Sequence, residues 1–322
     1  MHERSTSSEG SGGGGELLWY FAYGSNMSSA KFTGSRGIAP LATARVRVPG
    51  WVLALNIPGL PYSEPTFTSI TPRTPSGSKL SATLSNATVS ANSGSSEIES
   101  DAIIPELELG PDFGLEIPDI IGVAYLITAS QYIKVLGSEG GGIAYEDIEV
   151  DAVPLDETDR EQTGPRLKVR TLGAAIERYP PPKPSKRYMD IITLGASEAS
   201  LPLSYQSYLL SLPVYTPPQT PRGRLGAAIF LSVWGPVMEL MEKITKATIR
   251  EEDGYAPLMV IWLVRFAMWA IWVSHDLVFA RVWGRGDGGE GEGEGAEGSR
   301  GDGRVTEKSG LLGGEKGVFY IV

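Results

Sequence analysis

The fold is decided by the stretch Tyr20-Phe21-Ala22-Tyr23-Gly24-Ser25-Asn26-Met27. It completes an apolar, aromatic run that starts at Glu16, and such a run followed by Gly-Ser-Asn is typical of a buried strand that breaks into a tight turn. Ser25 or Asn26 can then cap a short helix through Phe32. Successive N–H groups at a turn can bind an anion, although an aromatic strand ending in Gly-Ser-Asn is also an ordinary turn.

More strands follow along the chain, with few helices between them. The apolar and alternating patterns predict strands over residues 41–55 (interrupted by Pro49-Gly50), 120–127, 145–153, 166–172 and 188–194. They predict helices over 129–136 and over 203–212, behind Pro202. The core is therefore expected to be a mixed α/β assembly.

The composition divides the 322 residues into a core and appendages. We expect residues 17–215 to form the core domain and residues 1–16 to be a disordered tail. From about 58 to 118 the chain is rich in Ser, Thr, Gly, Pro and acidic residues, which predicts a disordered insertion too polar to repay its ordering entropy. The Gly/Glu/Arg-rich residues 284–322 are expected to be a flexible tail.

Glu139 is a candidate acid/base residue. It follows a predicted helix and precedes Gly140, Gly141 and Gly142, so its backbone can approach a ligand closely. A carboxylate in that position can transfer protons, but it can equally be a solvated loop glutamate. The local sequence does not decide between the two.

Composition excludes several function classes. The net charge of -10, with no basic stripe, argues against a nucleic-acid partner. The absence of cysteine and the presence of only two histidines, His2 and His275, argue against thiol nucleophiles, Ser-His-Asp triads and metal sites. No cofactor-binding motif is found. Residues 1–16 lack the apolar run of a signal peptide, so a cytoplasmic location is expected.

Four blocks in this order together resemble the γ-glutamylcyclotransferase family. They are Tyr20 to Met27, Gly122-Val123-Ala124-Tyr125, Glu139-Gly140 with Tyr145 beyond it, and Tyr188 to Pro202. The resemblance covers roughly residues 17–56 and 120–212.

The resemblance implies a small closed β-barrel with peripheral helices. It also implies an enzyme that cleaves a γ-glutamyl amide by internal cyclisation, releasing 5-oxoproline and a free amine without a metal or cofactor. By matching positions, Glu139 corresponds to the family's acid/base glutamate. Tyr23, Gly24, Ser25 and Asn26 correspond to its substrate-binding turn, and Tyr145 and Tyr188 to pocket tyrosines.

The C-terminal third is not covered by the resemblance. Residues 213–224 are Pro-rich and read as a linker, and residues 236–249 read as an amphipathic helix within a helical extension over 225–283. Residues 257–273 are strongly apolar but contain Arg265. Helical spacing places Trp262, Arg265, Trp269, Trp272 and Asp276 on one stripe, which suits a membrane contact or packing against protein through residues 257–283.

Three functions stay open at this point. The first is a γ-glutamylcyclotransferase acting on a γ-glutamyl amino acid or a larger conjugate such as a glutathione adduct. The second is a related aminoacyl cyclotransferase that tailors a natural product. The third is a non-catalytic barrel that scaffolds partners or membranes.

Overall fold

A computed structural model describes residues 16–73 and 117–289 of the chain. The predicted tails at 1–15 and 290–322, and the part of the predicted insertion over 74–116, lie outside the described residues.

Five strands form a closed barrel, as expected. They are β1 (Leu17–Ala22), β2 (Ala42–Val48), β5 (Ile120–Thr128), β6 (Tyr145–Pro154) and β7 (Leu167–Ala174), in the spatial order β1-β5-β2-β6-β7. Strand β1 pairs antiparallel with β5, with Tyr20 opposite Tyr125, and Tyr20 also makes a parallel bridge to Arg170 of β7 that closes the barrel. Phe21, Val46, Ile127 and Val169 are fully buried in its core.

The first residues of the predicted disordered insertion belong to a separate hairpin. Strand β3 (Trp51–Leu60) pairs with β4 (Glu64–Pro72), so residues 58–73 are ordered and the expectation of disorder from 58 is wrong there. Composition misled because the polar side chains of this hairpin are buried in satisfied pairs. Ser69 Oγ donates to Asn56 Oδ1, and the Glu64 carboxylate accepts from Ser185 Oγ and Arg187 Nε.

The first helices follow the barrel strands. These are α1 (Ala129–Ser138), α2 (Glu157–Thr163), α3 (Lys186–Glu198) and α4 (Leu203–Ser211). The prediction of a strand over residues 188–194 is wrong, because these residues lie in helix α3. The Ser185 side chain accepts a hydrogen bond from Tyr188 N and so caps α3, while Tyr188, Met189, Ile192 and Ala196 bury one helical face.

Two long helices make up the C-terminal part. Helix α5 (Pro221–Thr248) begins fifteen residues before the predicted start at 236 and includes part of the predicted linker. Thr220 caps it and Pro221 occupies its first turn, a position that tolerates proline. It continues through Pro236 because Phe230, Met238 and Met241 stay packed on one side. Helix α6 (Leu258–Ser274) leads through a π-turn (His275–Phe279) into α7 (Ala280–Trp283).

The predicted aromatic stripe of α6 divides between two environments. Arg265 points to the barrel side, where its Nε and Nη2 donate to the carbonyls of Ile143 and Gly142 at 3.0 and 3.1 Å. Trp272 is buried under the Arg178 guanidinium, 3.8 Å from the ring centre. Trp262 and Trp269 are 70% and 60% exposed, so part of the stripe packs against protein, through Arg265 and Trp272, and part of it faces solvent.

By length and composition alone, two helical segments of the described chain could cross a membrane, Pro221–Thr248 and Leu258–Trp283. The core helices of soluble proteins can have the same length and composition. The membrane contact through residues 257–283 therefore stays a prediction.

The first residues of the predicted C-terminal tail are ordered. Tyr62 Oη donates to the Gly284 carbonyl at 2.6 Å, and Tyr62 N donates to the Gly286 carbonyl at the same distance. Gly286 N donates to His275 Nε2 at 3.1 Å. Low-complexity composition thus failed to predict that residues 284–289 pack against the β3–β4 hairpin, because backbone groups make these contacts.

Candidate active site

The turn after β1 is shaped by a close approach to strand β4. A Cβ on Gly24 would lie 2.6 Å from Thr68 Oγ1, so only glycine fits there without displacement. The chain then forms a short 3₁₀ turn (Ser25–Met27), in which Met27 N donates to the Gly24 carbonyl at 3.0 Å. The amides of Ser25 and Asn26 precede that first bond and have no acceptor within the turn. They can therefore serve a ligand.

The prediction of one regular helix, capped by Ser25 or Asn26 and running through Phe32, is wrong. Neither side chain caps the 3₁₀ turn, and a π-turn (Ala30–Ser35) takes the place of a regular helix. Instead, Asn26 Nδ2 donates to Tyr20 Oη at 2.7 Å and to Glu139 Oε1 at 3.0 Å. The Asn26 side chain thus links the turn to the candidate acid/base residue.

Glu139 lies at the C-terminal end of α1, which Thr128 and Gln131 cap at the other end. After it, Gly140, Gly141 and Gly142 have φ values of +89°, +56° and +86°, which favour glycine and turn the chain sharply. Glu139 is only 4% exposed, so it is not a solvated loop glutamate. It reaches Asn26 across 113 residues of sequence.

Arg36 is a site residue that the sequence analysis missed. Its Nη2 contacts Glu139 Oε1 and its Nη1 contacts Ser138 Oγ, and its side chain is 9% exposed. The guanidinium compensates the charge of the buried carboxylate. Its sequence context, Gly34-Ser35-Arg36-Gly37, reads as a polar loop, so no local pattern could have identified it.

The tyrosines of the site are held as neutral phenols. Tyr23 Oη donates to the Leu172 carbonyl, Tyr145 Oη donates to the Thr68 carbonyl at 2.9 Å, and Tyr188 Oη lies 2.7 Å from Thr68 Oγ1. Burial raises the pKa of Tyr188 to about 12 and raises the pKa of Tyr23 and of Tyr145 well above the usual value. They can orient a ligand by hydrogen bonding but do not act as bases near neutral pH.

These groups surround one cavity that is partly open to solvent. All seven predicted site residues line it, together with Tyr20, Thr68 and Leu172. The structure therefore brings together the turn, the carboxylate and the two pocket tyrosines. In the described parts of the chain, no group of three His, Cys, Asp or Glu residues is arranged to hold a metal ion.

Comparison with known proteins identifies the family. The chain is 41% identical over 276 residues to the γ-glutamyl cyclotransferase aclK of Aspergillus oryzae, covering 84% of this chain and 90% of that protein. This chain belongs to the γ-glutamylcyclotransferase family. It is also 32% identical over 271 residues to the γ-glutamyl cyclotransferase gliK of Aspergillus fumigatus, covering 84% of this chain and 89% of the relative.

Residues 220–282 match a family described as the AclK C-terminal domain. This match takes in helices α5 and α6, to which the resemblance seen in the sequence did not extend. A solved γ-glutamyl cyclotransferase structure has a TM-score of 0.40 at 19% identity, covering 64% of this chain and 95% of that one. As a γ-glutamylcyclotransferase, the chain is an enzyme, and the expectation of a non-catalytic scaffold is set aside.

Proposed function

We propose that this γ-glutamylcyclotransferase releases 5-oxoproline from a γ-glutamyl amide and that Glu139 moves the proton. One observation carries the proposal: a buried carboxylate faces the same cavity as the Gly24-Ser25-Asn26 turn. The cavity thus combines a proton carrier with hydrogen-bond donors.

The chemistry needs one proton acceptor that becomes a donor. The substrate's α-ammonium loses a proton to Glu139, and its nitrogen attacks the γ-carbonyl carbon to form the lactam C–N bond. The amide C–N bond to the leaving amine then breaks as the proton on Glu139 passes to that amine. The ring nitrogen gives up its second proton through the freed Glu139 carboxylate to the same amine, which leaves as an ammonium ion. Atoms and charges balance with no added reagent.

Ring closure is intramolecular, so the protein's main task is to hold a curled substrate. Good orientation can lower such a barrier by roughly 7 to 11 kcal/mol. The amides of Gly24, Ser25 and Asn26 can hold either the substrate's α-carboxylate or the oxyanion that forms on the γ-carbonyl. The neutral Tyr145 and Tyr188 lie on the cavity wall, where they limit how the substrate can fold.

Substitution of Glu139 by Gln tests the proposal, because it keeps the shape and removes the basicity. We expect the Glu139→Gln variant to lose roughly 100- to 10,000-fold in 5-oxoproline release from a panel of γ-glutamyl amino acids and amines, with folding intact. Glu64→Gln is a matched control, since Glu64 is also 4% exposed but lies outside the cavity lining. It should keep most of its turnover. Near-normal release by the Glu139→Gln enzyme would remove Glu139 from the mechanism.

A further inference from the structure

The outward side of helix α6 is apolar along its whole length. Its exposed side chains are 45% to 85% exposed and all apolar: Leu258, Met259, Trp262, Leu263, Phe266 and Trp269. They recur at the three- and four-residue spacing of one helical side, which we call the α6 face. Monomeric soluble proteins rarely expose an apolar patch larger than on the order of a few hundred Å², so the α6 face is suited to an interaction.

The opposite side of α6 is held by polar contacts with the rest of the protein. Arg265 donates to the carbonyls of Gly142 and Ile143. Asp276, just after α6, accepts two hydrogen bonds from Arg178 Nη2, each at 2.9 Å. A helix that crossed a bilayer would lose these contacts and place Arg265 in hydrocarbon, which is costly. The α6 face can therefore enter a lipid layer only with the helix lying parallel to the membrane surface.

The aromatic residues of the α6 face suit lipid better than a protein partner. Trp262 and Trp269 each combine an apolar ring with one N–H group, and such side chains concentrate at the boundary between hydrocarbon and headgroups. The Phe266 ring stacks on Trp269 with 5.5 Å between centres, which extends the aromatic surface. Protein interfaces form roughly one hydrogen bond per 100 to 200 Å². The exposed side chains of α6 offer only the two indole N–H groups.

Three arginines lie together at one end of the C-terminal helices. Trp283, at the end of α7, packs against Gly226 near the start of α5, so these two helix ends are neighbours. The arginines there are exposed, and none forms an ion pair with another described residue: Arg222, Arg224 and Arg281. Arginines near a bilayer attract anionic headgroups. Because the whole chain has a net charge of -10, the apolar face supplies most of the attraction and the arginines favour contact at their end.

We infer that the α6 face docks on the surface of a lipid bilayer, with α6 parallel to the membrane and the three arginines against anionic headgroups. The apolar side chains enter the boundary between headgroups and acyl chains, and the barrel stays in water. Arg265 binds the carbonyl of Gly142, three residues after Glu139, so docking holds the active site close to the bilayer. The inference does not depend on the proposed function.

Flotation of the full chain with vesicles tests the apolar face. We expect wild type to bind vesicles of phosphatidylcholine and to bind more tightly when they also contain phosphatidylserine. Phe266→Glu should lower the partition coefficient by at least about tenfold on both, because it places a charge in the face. Leu210→Glu is the matched control, since Leu210 is an exposed apolar residue of α4 and the variant adds the same charge outside the α6 face. It should bind like wild type.

The arginine contact is tested in the same assay. Arg281→Gln should weaken binding to phosphatidylserine vesicles by roughly fivefold and leave binding to phosphatidylcholine alone unchanged. Arg166→Gln changes the net charge by the same amount at an exposed arginine outside the C-terminal helices, so it should have a smaller effect. Equal losses in the two variants would show that net charge acts and would overturn the arginine contact.

Fluorescence quenching by lipids with brominated acyl chains identifies the docked surface. The double variant Trp262→Phe/Trp269→Phe should keep most of its binding but lose most of the quenching seen in wild type. Failure of wild type to bind either vesicle, or equal losses in Phe266→Glu and Leu210→Glu, would overturn the inference. A dimer that Phe266→Glu dissociates, without vesicle binding, would assign the α6 face to a second copy of the chain. Bound protein that resists carbonate extraction would overturn the parallel orientation in favour of spanning.

Discussion

At the scale of single residues, Gly24 determines how closely the Gly24-Ser25-Asn26 turn approaches strand β4. A requirement for glycine there follows from the space available to a Cβ atom. The limiting atom is Thr68 Oγ1, which is also the partner of Tyr188 Oη. One small residue thus positions the turn amides against a pocket tyrosine.

Gly24→Ala is expected to lower kcat/KM and to destabilise the fold by about 1 to 3 kcal/mol, because the new methyl group overlaps Thr68 Oγ1. Thr68→Ala removes that oxygen and should recover part of the stability lost by Gly24→Ala. Urea unfolding of the two single variants and the double variant measures the coupling. Strictly additive losses would show that the overlap with Thr68 is not the cause.

At the scale of elements, helix α3 carries Tyr188 into the site, and Ser185 joins its first turn to the β3–β4 hairpin. The Ser185 hydroxyl accepts from Tyr188 N at 3.0 Å and donates to the buried Glu64 carboxylate. Thr128 caps α1 in a similar way, through Gln131 N, without a buried carboxylate as partner. The second partner of the Thr128 hydroxyl is Ser130 Oγ at 3.0 Å, so the two caps differ in whether that partner is a buried carboxylate.

Ser185→Ala should cost roughly 2 to 4 kcal/mol, since about 1 is lost with the cap and about 1 to 3 with the donor to a buried carboxylate. Thr128→Ala should cost only about 1 kcal/mol. Denaturant unfolding of both variants compares them directly. Equal losses would mean that the Glu64 contact adds nothing to the stability of α3.

At the scale of the whole molecule, a buried histidine links the C-terminal helices to Gly286 and to Tyr62 of the β3–β4 hairpin. His275 is fully buried, with Nδ1 2.9 Å from Asp276 Oδ1 and Nε2 accepting from Gly286 N. This arrangement requires the neutral ring with its proton on Nδ1. Burial lowers the pKa of His275 below 6.5, although Asp276 and Asp287 oppose the shift.

Stability should therefore fall as the pH decreases below 6.5. The unfolded chain takes up the histidine proton first, so the contribution of neutral His275 is complete above pH 6.5 and is lost as the pH falls toward the lower folded pKa. Unfolding free energies of wild type and His275→Gln, measured from about pH 7 to pH 5, should diverge in slope. Parallel curves would contradict the prediction, because His2 is the chain's only other histidine.

Prediction succeeded where local pattern and tertiary environment agree. Strands β1, β5, β6 and β7 have apolar or alternating residues, and the barrel buries them accordingly. Prediction failed for α3, because the apolar and β-branched residues of Tyr-Met-Asp-Ile-Ile-Thr-Leu are typical of a strand. The helix is determined by its Ser185 cap and by the face that it buries. Prediction also failed for residues 58–73, because composition cannot show which polar groups find partners.

The sequence by itself determined the barrel strands, the turn at Gly24-Ser25-Asn26 and the choice of Glu139. Short-range apolar patterns and turn residues predict the strands and the turn, and the family resemblance predicts Glu139. Only the tertiary structure decided that Arg36 meets Glu139, that Thr68 belongs to the cavity and that residues 284–289 pack beside Tyr62. Those contacts join segments about 70 to 220 residues apart. Their partners depend on how the elements pack, which no local window of sequence contains.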